Sequence, residues 1–69
     1  MSNKVYKSIE LTGSSDVSSD DAVKNAIKRA STTIHELKWF EVLEQRGRIE
    51  KGQIESWQVI IKVGFALED

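Results

Sequence analysis

The chain has 69 residues with no cysteine, no proline and one histidine, and its ten basic and eleven acidic residues leave a net charge of −1. This composition excludes disulfides and argues against the strongly cationic surface of a nucleic-acid binder. A chain this short buries only about 60% of its unfolded surface. We therefore expect one domain over residues 1–69 that gains stability by oligomerising.

The N-terminal residues lack the apolar run of a signal peptide, and no stretch approaches the roughly 18 apolar residues of a membrane span. These features predict a cytoplasmic protein that has neither a membrane nor a nucleic acid as its partner.

The first two elements are predicted to be a strand and a helix. Apolar and polar residues alternate over 5–11, which is typical of a strand, and 12–16 has the composition of a loop. Ser18, with Asp21 three positions later, resembles a capping box at the start of a helix. Apolar residues at steps of three and four then predict one amphipathic helix over about 19–37. They are Val23, Ala26, Ile27, Ala30, Ile34 and Leu37.

Two further strands are predicted over 39–49 and 54–67, joined by a tight turn at Lys51-Gly52. A two-residue turn places residues opposite each other when their numbers sum to 103. Two pairs of opposite charge follow, and Trp39 lies opposite Gly64. The charged pairs are Glu41 with Lys62 and Arg48 with Glu55. A β-bulge would change this register.

The two faces of the predicted hairpin differ in character. One is continuously apolar and suits cover by the helix, so the fold class is α+β, with a three-stranded antiparallel sheet in β-α-β-β order wrapped around one helix. That face carries Phe40, Val42, Val59, Ile61, Val63, Phe65 and Leu67. The opposite face is too apolar to remain wet, and we expect it to pack against other copies in a closed oligomer. It carries Trp39, Glu41, Leu43, Gln45, Gln58, Ile60, Lys62, Gly64 and Ala66.

No residue pattern predicts catalysis or a metal site. His35 is the only imidazole, and it has no partner at a metal-binding spacing. Asp20 and Asp21 fit the first turn of a helix, where the helix dipole favours negative charge. The serines lack a histidine or lysine at the spacing of a nucleophile motif. The sequence therefore predicts a protein that is not an enzyme.

The two tryptophans and one glutamine are the most informative residues. Trp57 is predicted to pack on the helix side, with Arg46 lying over its ring from the neighbouring strand. Trp39, opposite a glycine on the other face, suits either stacking on a flat aromatic ligand or packing in an oligomer. Gln58 on that face offers an amide donor and acceptor that match the edge of a pyrimidine-like ring, although a solvated glutamine is commoner.

Nearly the whole chain resembles the dodecins, and the Trp-Phe-Glu-Val and Lys-Val-Gly-Phe segments are the most specific parts of that resemblance. The matching segments are 5–7, 9–13, 21–27, 39–42, 44–49, 58–59 and 62–65. Dodecins are small flavin-binding proteins of β-α-β-β fold that form hollow dodecamers. The resemblance implies a homododecamer that stores flavin, as FMN or riboflavin, and quenches its photochemistry. The alternative is a structural module whose sheet face serves assembly alone.

The resemblance also implies individual roles. Trp39 matches the tryptophan that sandwiches two flavins at a two-fold axis, and Gln58 matches the glutamine that binds the pyrimidine edge. Arg46 and Arg48 are candidate contacts to the ribityl chain or phosphate. The 103 register puts both arginines on the helix face, so a bulge or a neighbouring subunit must bring them to the site.

Two further points concern the ligand. Ala66 stands where some members that hold the phosphorylated flavin carry a basic residue, which weighs against a preference for FMN. Coenzyme A, which some bacterial members bind at a separate site, is a second candidate ligand.

Overall fold

The computed structural model describes residues 3–67, so the first two and last two residues of the predicted domain lie outside the described part. The elements are β1 (Tyr6–Ser15), α1 (Ser19–Ala30), β2 (Leu37–Glu50) and β3 (Gln53–Ala66). They form an antiparallel sheet in the order β1-β3-β2. The predicted α+β class and β-α-β-β order are confirmed. Within residues 3–67, no helix has the length and apolar character needed to cross a membrane.

β1 is longer than the sequence predicts. The loop expected at 12–16 begins only after Ser15, because β1 continues to pair with β3 up to Ser15 opposite Trp57. The polar residues that suggested a loop therefore lie within the strand, where the hydrogen-bond ladder with β3 outweighs their preference for turns.

The helix begins as predicted but ends earlier. The Ser18 hydroxyl oxygen accepts a hydrogen bond from the backbone N–H of Asp21 at 3.0 Å. α1 stops at Ala30 instead of reaching residue 37, and the predicted helical residue Leu37 opens β2. The hydroxyls of Ser31 and Thr32 donate to backbone carbonyls three residues earlier, at 2.9 and 2.7 Å. Such local bonds compete with helix continuation.

The buried core lies between α1 and the middle of the sheet. It consists of Ala22, Ala26, Val59, Ile61 and Val63, with partly buried apolar residues packed around it. Gly13 lets the helix approach β1 closely, since a Cβ at Gly13 would overlap the Ala22 carbonyl oxygen and lie 2.9 Å from the Ala26 Cβ. Small residues on both elements thus allow three β-branched side chains of β3 to be fully enclosed.

The helix leaves most of β2 uncovered, and this corrects the predicted core. α1 packs on β1 and β3, while β3 lies between β1 and β2 in the sheet. Phe40 and Val42 share the sheet face of the core but are 50% and 46% exposed. β2 is therefore an edge strand with apolar side chains accessible on both of its faces.

The hairpin between β2 and β3 has the predicted turn but a changed register. Lys51 and Gly52 both have positive φ, 54° and 76°, as a tight two-residue hairpin turn requires. The 103 register holds from Trp39 to Val42, so Glu41 faces Lys62 and Trp39 faces Gly64 as predicted. Beyond Val42 the pairing shifts by one residue, because Leu43 is an extra residue on β2.

Candidate functional site

Trp39 covers Gly64 on the sheet face opposite the helix. A Cβ on Gly64 would overlap Cε2 and Cζ2 of the indole and lie 2.5 Å from its Nε1. Cε2 is the nearest of these adjacent ring atoms, which places the face of the ring over the glycine. Trp39 is nevertheless 41% exposed. One face of the indole thus lies against the backbone at Gly64, while the residue as a whole remains partly exposed.

The bulge at Leu43 moves the arginines to the face that carries Trp39. Side chains alternate across a strand, so one extra residue exchanges the two faces beyond it. Arg46 pairs with Gln58 and Arg48 with Ser56, whereas the 103 register would have placed both arginines on the helix face. The predicted helix-side position of the arginines is therefore wrong, and a bulge resolves the conflict that the family resemblance raised.

A hydrogen-bonded group of Glu44, Arg46 and Gln58 lies on this face. The guanidinium Nη1 of Arg46 donates to Oε1 of Gln58 at 2.7 Å. Nη2 of the same guanidinium donates to Oε1 of Glu44 in an ion pair. The side chains of Arg46 and Glu44 are 50% and 62% exposed, so solvent screens the pair in the isolated chain. The residue pattern alone gives no reason to place Glu44 on this face, because only the bulge brings it there.

The second arginine lies further out along the hairpin. β1 ends opposite Trp57, so the part of β2 and β3 beyond Trp57 is a two-stranded arm. Arg48 lies on this arm, and its Nε is 3.4 Å from Oε1 of Glu55. The predicted charge pair is present, but the residue directly opposite Arg48 is Ser56, because Glu55 is an extra residue on β3.

The predicted contact between Arg46 and Trp57 is wrong, because the same shift places Gly47 opposite Trp57. Trp57 is half-buried and lies opposite Ser15, the last residue of β1.

The acidic residue Asp21 has a structural role. Its Oδ2 accepts hydrogen bonds from the Ser15 hydroxyl at 2.7 Å and from the Asn25 amide at 3.4 Å. The bond from Ser15 ties the end of β1 to the start of α1, and the bond from Asn25 lies within the helix. Among residues 3–67, no group of three or more His, Cys, Asp or Glu side chains is placed to hold a metal ion.

Glu36, just before β2, has a lowered pKa. The hydrogen bond and the positive charge of Lys38 hold the pKa of this exposed carboxyl below its ordinary value of 4.5. The Nζ of Lys38 is 3.0 Å from Oε1 of Glu36. Glu36 has a positive φ of 67°, and it immediately precedes β2.

The surface around Trp39 is open in a single chain. A groove of about 690 Å³ lies elsewhere, between β1 and α1. The depression at the start of β2 has only about 190 Å³. It is lined by Ile27, Leu37, Lys38, Trp39, Phe40 and Val63. The indole of Trp39 therefore borders a small, open depression in the described part of the chain.

Comparison with known proteins decides the family. The sequence model of the family Dodecin matches residues 5–68. This chain belongs to the dodecin family. It is 44% identical over 66 residues to the dodecin of Thermus thermophilus, covering 96% of each protein.

Solved dodecin structures show the same fold. Streptomyces coelicolor dodecin superposes with a TM-score of 0.92 at 51% identity, over 100% of this chain and 99% of that one. The dodecin of Streptomyces davaonensis also gives a TM-score of 0.92, at 48% identity, over 99% of this chain and 100% of that one.

Proposed function

We propose that this dodecin binds a flavin, riboflavin or FMN, between Trp39 residues of symmetry-related copies, and that a homododecamer stores the flavin and quenches its photochemistry. Membership of the dodecin family supports a small flavin-binding protein in general. The observation that carries the finer proposal is the exposed indole seated on Gly64. We propose binding rather than catalysis as the activity.

The indole suits a flat aromatic ligand for a physical reason. A ring system stacked on an aromatic side chain gains about 1–3 kcal/mol, as bases do on aromatic platforms. Gly64 supports the indole from below without a side chain that would tilt it. An indole in contact with an excited flavin also donates an electron readily, which would quench the fluorescence of the flavin.

The polar group suits the edge of the same ligand. Gln58 supplies an amide, and Arg46 supplies a permanent positive charge on the same sheet face. Gln58 lies six positions before Gly64 on β3, or about 20 Å away at about 3.3 Å per residue. A two-fold axis can bring a second Trp39 and a second Gln58 to this surface, so two copies supply both parts of one site.

The accessible apolar surface of β2 supports assembly. A monomer rarely exposes contiguous apolar side chains without a partner. Four large apolar side chains are exposed close together on this edge strand: Trp39, Phe40, Val42 and Leu43. Packing of β2 against other copies would bury them, and it would also close the ligand surface.

The deciding experiment is a fluorescence titration of riboflavin and of FMN with purified protein that has been sized by light scattering. We expect strong quenching that saturates near one flavin per chain in a twelve-chain particle. Trp39→Ala should weaken binding about 10- to 100-fold, the equivalent of losing one stacking partner. Trp57→Phe, which changes the other tryptophan, is the matched control and should leave affinity unchanged.

Two outcomes would contradict the proposal in different ways. Full affinity and full quenching in Trp39→Ala would remove the assigned role of the indole. Unquenched flavin mixed with a correctly assembled wild-type particle would overturn flavin storage and favour the structural module. The ratio of the two affinities decides between riboflavin and FMN, and thereby tests the argument from Ala66.

A further inference from the structure

The orientation of the Gln58 amide follows from its neighbour Arg46. A guanidinium carries only hydrogen-bond donors, so the amide atom that it contacts must be the oxygen. Arg46 Nη1 contacts Gln58 Oε1 at 2.7 Å. The amide nitrogen therefore points away from Arg46. A glutamine without such a neighbour can present either end of its amide to a ligand.

Glu44 restrains the guanidinium that makes this contact. Arg46 is a long, half-exposed side chain that would otherwise sample many rotamers. The Glu44 carboxylate holds Nη2 of the same planar group whose Nη1 holds Gln58. Glu44 and Arg46 lie two residues apart on β2, and both reach this face only because of the bulge. The three residues form a chain in which Glu44 acts on Gln58 through Arg46.

We propose that Glu44 and Arg46 are positioning residues that fix the Gln58 amide with its nitrogen toward the ligand, so that the site recognises an acceptor atom on the ligand edge. This inference rests on the proposed function, because it takes the flavin ring as the ligand. Its pyrimidine edge carries carbonyl oxygens, which are acceptors of this kind. Gln58 then donates through its amide nitrogen, while its oxygen accepts the charge-assisted bond from Arg46.

The first test is a double-mutant cycle measured by riboflavin quenching. Glu44→Gln should weaken riboflavin binding by about 3- to 5-fold, within the range of an exposed ion pair. The same substitution in a Gln58→Ala background should change affinity no further, because the amide that it orients is absent. Glu55→Gln is the matched control: it removes the Arg48–Glu55 ion pair with the same charge change and should leave affinity within about 2-fold.

The second test separates a donor role from an acceptor role. Gln58→Glu keeps an oxygen for Arg46 but removes the N–H donors. We expect it to lose at least about 10-fold in riboflavin affinity, the value of a bond of roughly 1.4 kcal/mol. Wild-type affinity in Gln58→Glu would overturn the proposal, as would independent, additive effects of Glu44→Gln and Gln58→Ala.

Crystal structures of the ligand-free wild type and of Glu44→Gln distinguish failure of this inference from failure of flavin binding. We expect Arg46 to contact Gln58 in the wild type and to leave it in the variant. An unmoved guanidinium in Glu44→Gln would overturn the positioning role even if riboflavin binds. Absence of riboflavin binding, with the expected movement of Arg46, would overturn the proposed function and leave the positioning role supported.

Discussion

The half of the sheet beneath the helix and the half formed by β2 differ in how well their apolar side chains are buried within one chain. Beneath α1, Val59, Ile61 and Val63 are at most 1% exposed, because alanines and Gly13 let the helix approach. On β2, apolar side chains are exposed on both faces. The covered half buries its apolar side chains within one chain. The open half carries the indole of Trp39 and the hydrogen-bonded group of Glu44, Arg46 and Gln58. The uncovered surface is thus the one that we propose binds the ligand and packs against other copies.

The largest expected effect is a loss of stability, caused by a cavity made in the covered half of the sheet. Ile61→Ala should reduce the free energy of unfolding by about 2–5 kcal/mol, because Ile61 is fully buried and its neighbours are held by the helix. Ile49→Ala, at a position 77% exposed on the arm, should cost less than about 0.5 kcal/mol. Denaturant unfolding of both variants checks this difference. An equal loss at Ile49 would mean that another copy covers the arm.

A charge on the open half should act on assembly. Val42→Lys would place an ammonium group in the surface that we propose packs against other copies, where burying an unpaired charge is unfavourable. We expect light scattering to show smaller particles, with the circular dichroism of the fold retained. Val17→Lys, at an exposed loop position before α1, is the matched control and should assemble normally. A normal particle formed by Val42→Lys would exclude this face from the interface.

Two glycine substitutions compare the halves directly. At Gly13 an added Cβ meets the backbone carbonyl of Ala22, which moves only with the helix, whereas at Gly64 it meets the Trp39 side chain. We expect Gly13→Ala to lose more stability than Gly64→Ala, which should cost about 1–3 kcal/mol as an overpacked contact. Gly64→Ala should also weaken riboflavin binding by displacing the indole.

Denaturant unfolding and riboflavin titration of both glycine variants test this expectation. Unchanged riboflavin affinity in Gly64→Ala would show that the contact between the indole and Gly64 does not contribute to ligand binding.

The smallest effect concerns pH. The pKa of Glu36 is lowered by Lys38, so the contribution of Glu36 to stability is present above its unfolded-state pKa and is lost as pH falls through the lower folded-state value. Lys38→Met should return the pKa of Glu36 toward 4.5, which an NMR titration of its side-chain carboxyl measures. Lys24→Met, on α1, should leave the Glu36 titration unchanged. No change in Lys38→Met would assign the shift to another group.

Several local features could be predicted from the residues because their causes are local. The Ser18 cap, the Lys51-Gly52 turn and the seat of Trp39 opposite Gly64 each depend on a short segment or on one register. The end of the helix was mispredicted because Ile34 and Leu37 continue an apolar period of three to four. Periodicity does not show that the hydroxyls at 31 and 32 bond back to the helix and end it.

The sequence by itself determined the order of elements and the apolar stripe of the helix, since these follow from side-chain chemistry and spacing. The candidate ligand residues came from its resemblance to the dodecins. Only the tertiary structure decided that β3 lies between β1 and β2, which leaves β2 uncovered. It also decided that Leu43 bulges and brings Arg46 to Gln58. The physical reason is that a bulge is a property of two paired strands. The pairing of both strands determines where the extra residue falls. On the strand that carries it, every side chain beyond that residue then lies on the other face of the sheet.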